Sequence, residues 1–164
     1  MNGGNNVSPN IMMYLRLFCL TDNPAAVVLT AAVEQLMPIN SGDFFVELKQ
    51  SKGCSYQEPF TAIKIGYEVY EYNLELFEER TNTLFEKLMN NQTLLVDLTE
   101  NASVETGFVI NINSMNSEEQ PAFYLSSAQM SFLAKLRSSL ILDGYLMFGE
   151  EEEEEEEESA PLTP

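Results

Sequence analysis

The apolar positions in the first half of the chain recur with two periods, one typical of strands and one typical of helices. Alternation of apolar and polar residues, clearest at Ile63, Ile65 and Tyr67, predicts strands that bury one face. After Asn23 and Pro24 the apolar residues recur at every third or fourth position, which predicts a helix capped by Asn with Pro at its first position. The predicted elements are a strand at 11–20, a helix at 24–37, and strands at 44–48 and 60–70.

The pattern in the second half predicts a long helix, a hairpin, a third helix and a closing strand. The long helix covers about 72–90, and alternation at 94–99 and 108–112 predicts the two strands of the hairpin. Ser126 and Gln129 fit a capping box at the start of the third helix. The predicted buried stripe of that helix is Met130, Leu133, Leu136 and Leu140. The closing strand is predicted at 141–148, interrupted at Asp143-Gly144.

The order of these elements, β-α-β-β-α-β-β-α-β, mixes helices and strands without strict alternation. It predicts an α+β fold: one twisted, mainly antiparallel sheet with helices packed on one face, built from ferredoxin-like βαβ and ββαβ elements. We expect a single domain at 11–149. A flexible N-terminus at 1–10 and a disordered polyglutamate tail at 150–164 flank it in this prediction.

The charge is concentrated at the C-terminus, where nine consecutive glutamates occupy 150–158. The whole chain of 164 residues has 26 acidic and 8 basic residues, a net charge of −18. Without those nine, 17 acidic and 8 basic residues remain, so residues 1–149 carry −9. This balance disfavours binding to a phosphate backbone, so nucleic acid is not expected as a partner. A signal peptide and a membrane span are not expected either, because Arg16 interrupts the first apolar run, and we predict a cytoplasmic protein.

The residue types present limit the chemistry that the chain could perform. Histidine is absent, which excludes Ser–His and Cys–His catalysis and zinc held by histidine. Two cysteines are too few for a zinc site built from cysteine alone. We therefore expect a protein that is not an enzyme and has no metal or cofactor. An enzyme that works with carboxylates or tyrosine stays open as an alternative.

Four segments of the chain resemble a known family. They are Gly42-Asp43 after the first helix, Leu84-Phe85-Glu86-Lys87-Leu88 in the long helix, the predicted hairpin Leu94–Ile112, and Phe123–Leu136 followed by Leu142–Tyr145. Over Ser41 to Tyr145 the chain resembles the bacterial family called domain of unknown function 4279, although it lacks a Trp that the middle strand of that family often carries. The resemblance implies the fold and offers no catalytic residues. Some small acidic domains of this kind are toxin-immunity proteins, which is an analogy for function.

Acidity, small size and this analogy favour a non-catalytic binding protein. We expect an immunity or inhibitor protein that covers a basic surface of another protein. The candidate contacts are Glu68, Glu71, Glu75, Glu78 and Glu79. The alternative is a small-molecule sensor or accessory domain with a pocket between the sheet and the helices.

Overall fold

Five strands and four α-helices make up the part of the chain that the structure, a computed structural model, describes: residues 11–70, 74–100, 104–115 and 123–147. In chain order the elements are β1 (Ile11–Leu20), α1 (Ala25–Leu36), a 3₁₀ turn (Met37–Ile39), β2 (Phe44–Ser51), β3 (Phe60–Val69), α2 (Leu74–Asn90), α3 (Gln92–Glu100), β4 (Glu105–Met115), α4 (Ser127–Lys135) and β5 (Ser139–Met147). The predicted segments at 1–10 and 150–164 lie outside the described residues.

The strands form one sheet in the order β2-β3-β1-β4-β5. The central strand β1 is antiparallel to β3 and β4, and β2 is antiparallel to β3. The first four strands therefore have the order of a ferredoxin-like βαββαβ unit, in which α2 and α3 together replace the second helix. Helix α4 then leads to β5, which pairs in parallel with β4 at the edge of the sheet. The predicted α+β fold with a mainly antiparallel sheet is confirmed.

One face of the sheet packs against the helices and forms the core. On β1 the odd-numbered residues, from Ile11 to Cys19, are buried and point to this face. Leu29 of α1, Phe85 of α2 and Phe132 of α4 belong to the same buried cluster. The even-numbered residues of β1 point to the opposite face, which carries a mixture of aromatic and charged side chains. The prediction that the helices pack on one face is confirmed.

Both helix caps predicted from the sequence are present. The side-chain oxygen of Asn23 accepts a hydrogen bond from the backbone N–H of Ala25 at 2.9 Å. At the start of α4, Ser126 N–H donates to Oε1 of Gln129 at 2.8 Å, and Gln129 N–H donates to Oγ of Ser126 at 3.3 Å. Local side-chain chemistry therefore fixes where these two helices begin.

The predicted hairpin at 94–112 is wrong, because its first half is helical. Helix α3 buries Leu95, Leu98 and Thr99, which are spaced as residues on one side of a helix. Only Asn91 separates α3 from the end of α2. The second half of the predicted hairpin is β4, which pairs with β1 and β5 instead.

The predicted buried stripe of the third helix is partly wrong. Helix α4 ends at Lys135, so Leu140 belongs to β5, where it is 43% exposed. Met130 is also exposed, at 46%. The buried residues of α4 and its C-cap are Gln129, Phe132, Leu133 and Leu136.

The predicted interruption of the closing strand is also wrong. Asp143 pairs with Asn111 and Gly144 pairs with Ile112 in an unbroken parallel register. The glycine therefore lies within the strand, without a bulge.

Candidate functional site

The exposed side of α2 carries Glu75, Glu78 and Glu79, three of the five predicted contact residues. Phe77 and Thr81 bury the other side of the helix against the sheet. Since residues three and four positions apart are neighbours on a helix, the three carboxylates share one surface. We call these three residues the acidic face.

The two basic side chains of α2 are engaged away from the acidic face. Arg80 forms an ion pair with Asp43, in the turn before β2, and its guanidinium lies 5.9 Å from the ring centroid of Phe44. Lys87 Nζ lies 5.2 Å from the same ring and donates a hydrogen bond to Oγ of Ser41 at 3.2 Å. Among the described residues no cation forms an ion pair with the acidic face. Its three negative charges are therefore uncompensated.

The other two predicted contacts do not join the acidic face. Glu68 is half-buried on β3, and because Tyr67 and Val69 point to the core, it points away from the helices. Its carboxylate accepts a hydrogen bond from the hydroxyl of Tyr70 at 3.2 Å, and this bond raises the pKa of Tyr70. Glu71 lies outside the described residues.

Glu68 instead borders an open cleft of about 560 Å³ on the face of the sheet opposite the helices. Asp43 and Glu47 also line this β2–β3 cleft, and Lys64 is the basic residue in its wall. The ammonium of Lys64 lies 4.9 Å from the ring centroid of Tyr14. The chain thus presents a second acidic surface, on the other side of the sheet from the acidic face.

A further cleft, of about 420 Å³, was not predicted from the sequence. It lies at one end of the sheet, and its lining includes Arg16 of β1, Thr106 of β4 and Ser139 of β5, together with Arg137 after α4. We call it the arginine cleft. Residues 16, 106 and 137 are far apart in the chain and meet only because β1, β4 and β5 are neighbours in the sheet. The one signal in the sequence is that Arg16 interrupts an apolar strand.

The titratable side chains of the described region give no candidate metal site, and the thiol of Cys19 is not activated. Among the described residues, no group of three or more Cys, Asp and Glu side chains could hold a metal ion. Cys19 is buried, and burial raises its pKa, which disfavours the reactive thiolate. Cys54 is an exposed free thiol. Charged side chains are therefore the groups on these surfaces that would recognise a ligand.

The fold and its surfaces define a class: a small, acidic α+β protein with a ferredoxin-like core and charged surface sites. The sequence profile of a family described as "Domain of unknown function (DUF4279)" matches residues 65–147, and the chain belongs to this family. The match runs from the middle of β3 to the end of β5. It includes the acidic face and Arg137, whereas Arg16 precedes it.

Comparison with the curated proteins and with the solved structures found no match. In the described part of the chain, every helix is too short or too polar to cross a membrane.

Proposed function

We propose that this protein is a non-catalytic acidic binding protein, of the immunity or inhibitor kind, that covers a basic surface of another protein with the acidic face of α2. One observation supports the proposal above all. Glu75, Glu78 and Glu79 share an exposed surface, whereas Arg80 and Lys87, the two basic residues of α2, are engaged with the turn before β2 and with Phe44.

The acidic face is carried by a rigid element. Phe77, Leu84, Phe85 and Leu88 of α2 are each at most 3% exposed and belong to the core. The carboxylates therefore need little backbone ordering when a partner binds, which reduces the entropic penalty of association. Unpaired surface charges act mainly before contact, because they steer a charged partner and raise the association rate.

Charge reversal of the acidic face tests this function. A partner captured from host lysate by the wild-type chain is used to compare association rates of the wild type and the variant E75K/E78K/E79K at low and high salt. We expect slower association and a flatter salt dependence in the variant. Salt screens exposed charges over a Debye length of roughly 8 Å at physiological ionic strength.

A matched control has the same change in net charge at a different place. The variant D22K/E34K/E58K reverses three exposed carboxylates that lie outside α2. It should slow association less than the acidic-face variant, and both variants should keep the wild-type melting temperature within a few degrees. Equal rates for the wild type and the acidic-face variant would remove this helix as the interface.

A second function, a small-molecule sensor or accessory domain, is favoured by the arginine cleft. The interior face of the sheet is filled by buried side chains such as Leu15, Ile65 and Phe108. The arginine cleft lies at the end of that layer, where β4 meets the last turn of α3 and the end of α4. A metabolite that raises the melting temperature by binding the native state would support this function.

A further inference from the structure

We propose that the arginine cleft binds a small oxyanion, the phosphate or carboxylate group of a small molecule, between the guanidinium groups of Arg16 and Arg137. This site is separate from the acidic face, and the proposal does not depend on the protein-binding function. It is based on the burial, hydrogen bonds and backbone conformation of four residues that line the cleft: Arg16, Thr106, Arg137 and Ser139.

Arg16 is a cation on the central strand β1, and no carboxylate of the described residues forms an ion pair with it. In the register it stands opposite Lys64 on one side and Gly107 on the other. Its Nε atom is buried and has no hydrogen-bond partner among the described residues. The side chain as a whole is partly buried and its guanidinium lies 5.7 Å from the ring centroid of Phe18, so the vacant donor is the buried Nε of a cation that forms no ion pair among the described residues.

Gly107 provides the space in which the guanidinium lies. A Cβ atom at this position would be 3.8 Å from Nη2 of Arg16 and 3.4 Å from Oγ of Ser139. Both polar groups therefore reach over the bare backbone of Gly107 toward the same region. The hydroxyl of Ser139 donates to the backbone carbonyl of Thr106 at 3.3 Å, so its remaining hydrogen-bonding capacity is that of an acceptor.

Arg137 occupies a position at which glycine is the preferred residue. Its φ is +51°, and among the described residues it is the one non-glycine residue with a positive φ. Arg137 N–H donates to the carbonyl of Ala134 and Ser138 N–H donates to that of Leu133, both at 3.0 Å, so Arg137 is the left-handed residue of a Schellman motif that ends α4. An arginine is unfavourable in this backbone conformation, and the residue, which is exposed, is part of the lining of the cleft.

The hydroxyl of Thr106 is a second vacant group in the wall of the cleft. Thr106 is 9% exposed, and its Oγ1 has no hydrogen-bond partner among the described residues. Thr106 stands opposite Leu17 in the register, so its hydroxyl lies on the helix side of β4, whereas Arg16 lies on the other side. An oxyanion bound at the end of β4 would accept a hydrogen bond from this hydroxyl or from the guanidinium of Arg16. It would thereby satisfy a polar group that the protein alone leaves unpaired.

The charge and size of the cleft fit such a ligand. The lining of the cleft contains two arginines and one carboxylate, that of Glu105, although the net charge of the whole chain is −18. The C-terminal end of α4 carries the negative end of the helix dipole and opposes an anion, so the attraction has to come from the two guanidinium groups. A volume of about 420 Å³ is in the range of small-molecule sites. Two planar guanidinium groups suit the paired oxygens of phosphate or carboxylate.

The test uses Arg137→Gly, a variant expected to be more stable than the wild type. Relief of the left-handed strain should raise its melting temperature by about 2–4 °C without ligand. Its affinity for the oxyanion should fall at least about tenfold, because a charge-assisted hydrogen bond is lost. Loss of binding in a stabilised protein cannot be attributed to unfolding.

The probes are inorganic phosphate and succinate, titrated by calorimetry into the full chain at an ionic strength held constant with chloride. Wild type should bind one or both probes saturably, and the probe that binds identifies the anion class. Lys135→Gln, which removes one exposed positive charge two residues away, should bind like the wild type. Arg16→Lys keeps the charge, loses the planar fork and should also weaken binding.

Two results would overturn the proposal. One is the absence of saturable binding of either probe to the wild type. The other is equal affinity in the wild type, Arg137→Gly and Arg16→Lys. Neither result affects the acidic face, whose partner is tested separately.

Discussion

The hydroxyl of Tyr67 connects the central part of the sheet to α2. A variant without this hydroxyl should be less stable than the wild type at neutral pH and more stable than the wild type at high pH. Tyr67 is fully buried on β3, with its ring edge-on to Phe44 and Phe77. Its hydroxyl lies 2.9 Å from Oγ1 of Thr81. Because Thr81 gives its own proton to the carbonyl of Phe77 at 2.8 Å, the tyrosine is the donor. Burial raises the pKa of Tyr67 to about 12.

The magnitude follows from one hydrogen bond and one pKa shift. At neutral pH Tyr67→Phe should lower the free energy of unfolding by about 1 kcal/mol, the usual contribution of a hydrogen bond, since the ring still fills its site. In the wild type, the unfolded tyrosine loses its proton near pH 10 and the folded one near pH 12. The stability present below pH 10 is therefore lost between pH 10 and 12, by about 3 kcal/mol in total. Phenylalanine has no proton to lose, so the two stabilities should cross near pH 11.

Urea unfolding of both proteins between pH 8 and 12 measures this effect. All other side chains are the same in both proteins, so their contributions cancel in the difference between Tyr67→Phe and wild type. Tyr56→Phe is the control, because the Tyr56 side chain is 98% exposed and its hydroxyl has no hydrogen-bond partner among the described residues. If the stability curves of wild type and Tyr67→Phe stay parallel up to pH 12, the reasoning about the buried hydroxyl is refuted.

Three further predictions concern packing and the tail. Leu133→Ala should lower the free energy of unfolding by about 2–5 kcal/mol, because the side chain is 4% exposed. Met130→Ala should lower it by less than about 0.5 kcal/mol, because that side chain is 46% exposed. Similar losses for the two variants would mean that the buried side of α4 is misassigned. Gly66→Ala should lower the free energy of unfolding by about 1–3 kcal/mol or more, since a Cβ at this position would lie 2.5 Å from Cβ of Tyr14. An unchanged midpoint of urea unfolding would argue against this close approach. Deletion of 150–164 should leave the melting temperature nearly unchanged, because nine adjacent glutamates offer no apolar surface to bury, and a drop of several degrees would contradict this.

The elements that the sequence predicted well have strong local signals. The cap at Asn23 and the capping box of Ser126 and Gln129 are formed by residues within three positions of each other. On the strand around Ile65 the odd-numbered residues from Ile63 to Val69 belong to the core, and Lys64 and Glu68 lie on the opposite face. Such features depend on short-range geometry, which a single sequence contains.

The segment now assigned to α3 shows where local signals fail. Its residues alternate at Leu94, Val96 and Leu98, but they also match a helical spacing at Leu95, Leu98 and Thr99. A nine-residue amphipathic segment fits both periods, and periodicity alone does not distinguish them.

The two candidate sites also differ in how far the sequence alone predicts them. The acidic face follows from the spacing of Glu75, Glu78 and Glu79 on one helix, so the sequence could predict it. That Glu68 points away from this face depends on the side of β3 that packs against the helices. The arginine cleft depends on the order of the strands and on the backbone of Arg137, and neither is encoded in local spacing.

The capping box of α4 gives a last prediction, which isolates one local signal. Ser126→Ala should lower the free energy of unfolding by about 1 kcal/mol, because it leaves the backbone N–H of Gln129 without an acceptor. Ser127→Ala removes the hydroxyl of the next residue, which is exposed and helical, and should change stability by less than about 0.5 kcal/mol. Gln129→Ala should lower stability more than Ser126→Ala does. Its side chain accepts from Ser126 N–H and also donates to Oδ1 of Asn82 on α2 at 3.0 Å, so both the cap and a link between two helices are lost. Urea unfolding at neutral pH gives all three values. Equal losses for the two serine variants would show that α4 does not begin where the capping box places it.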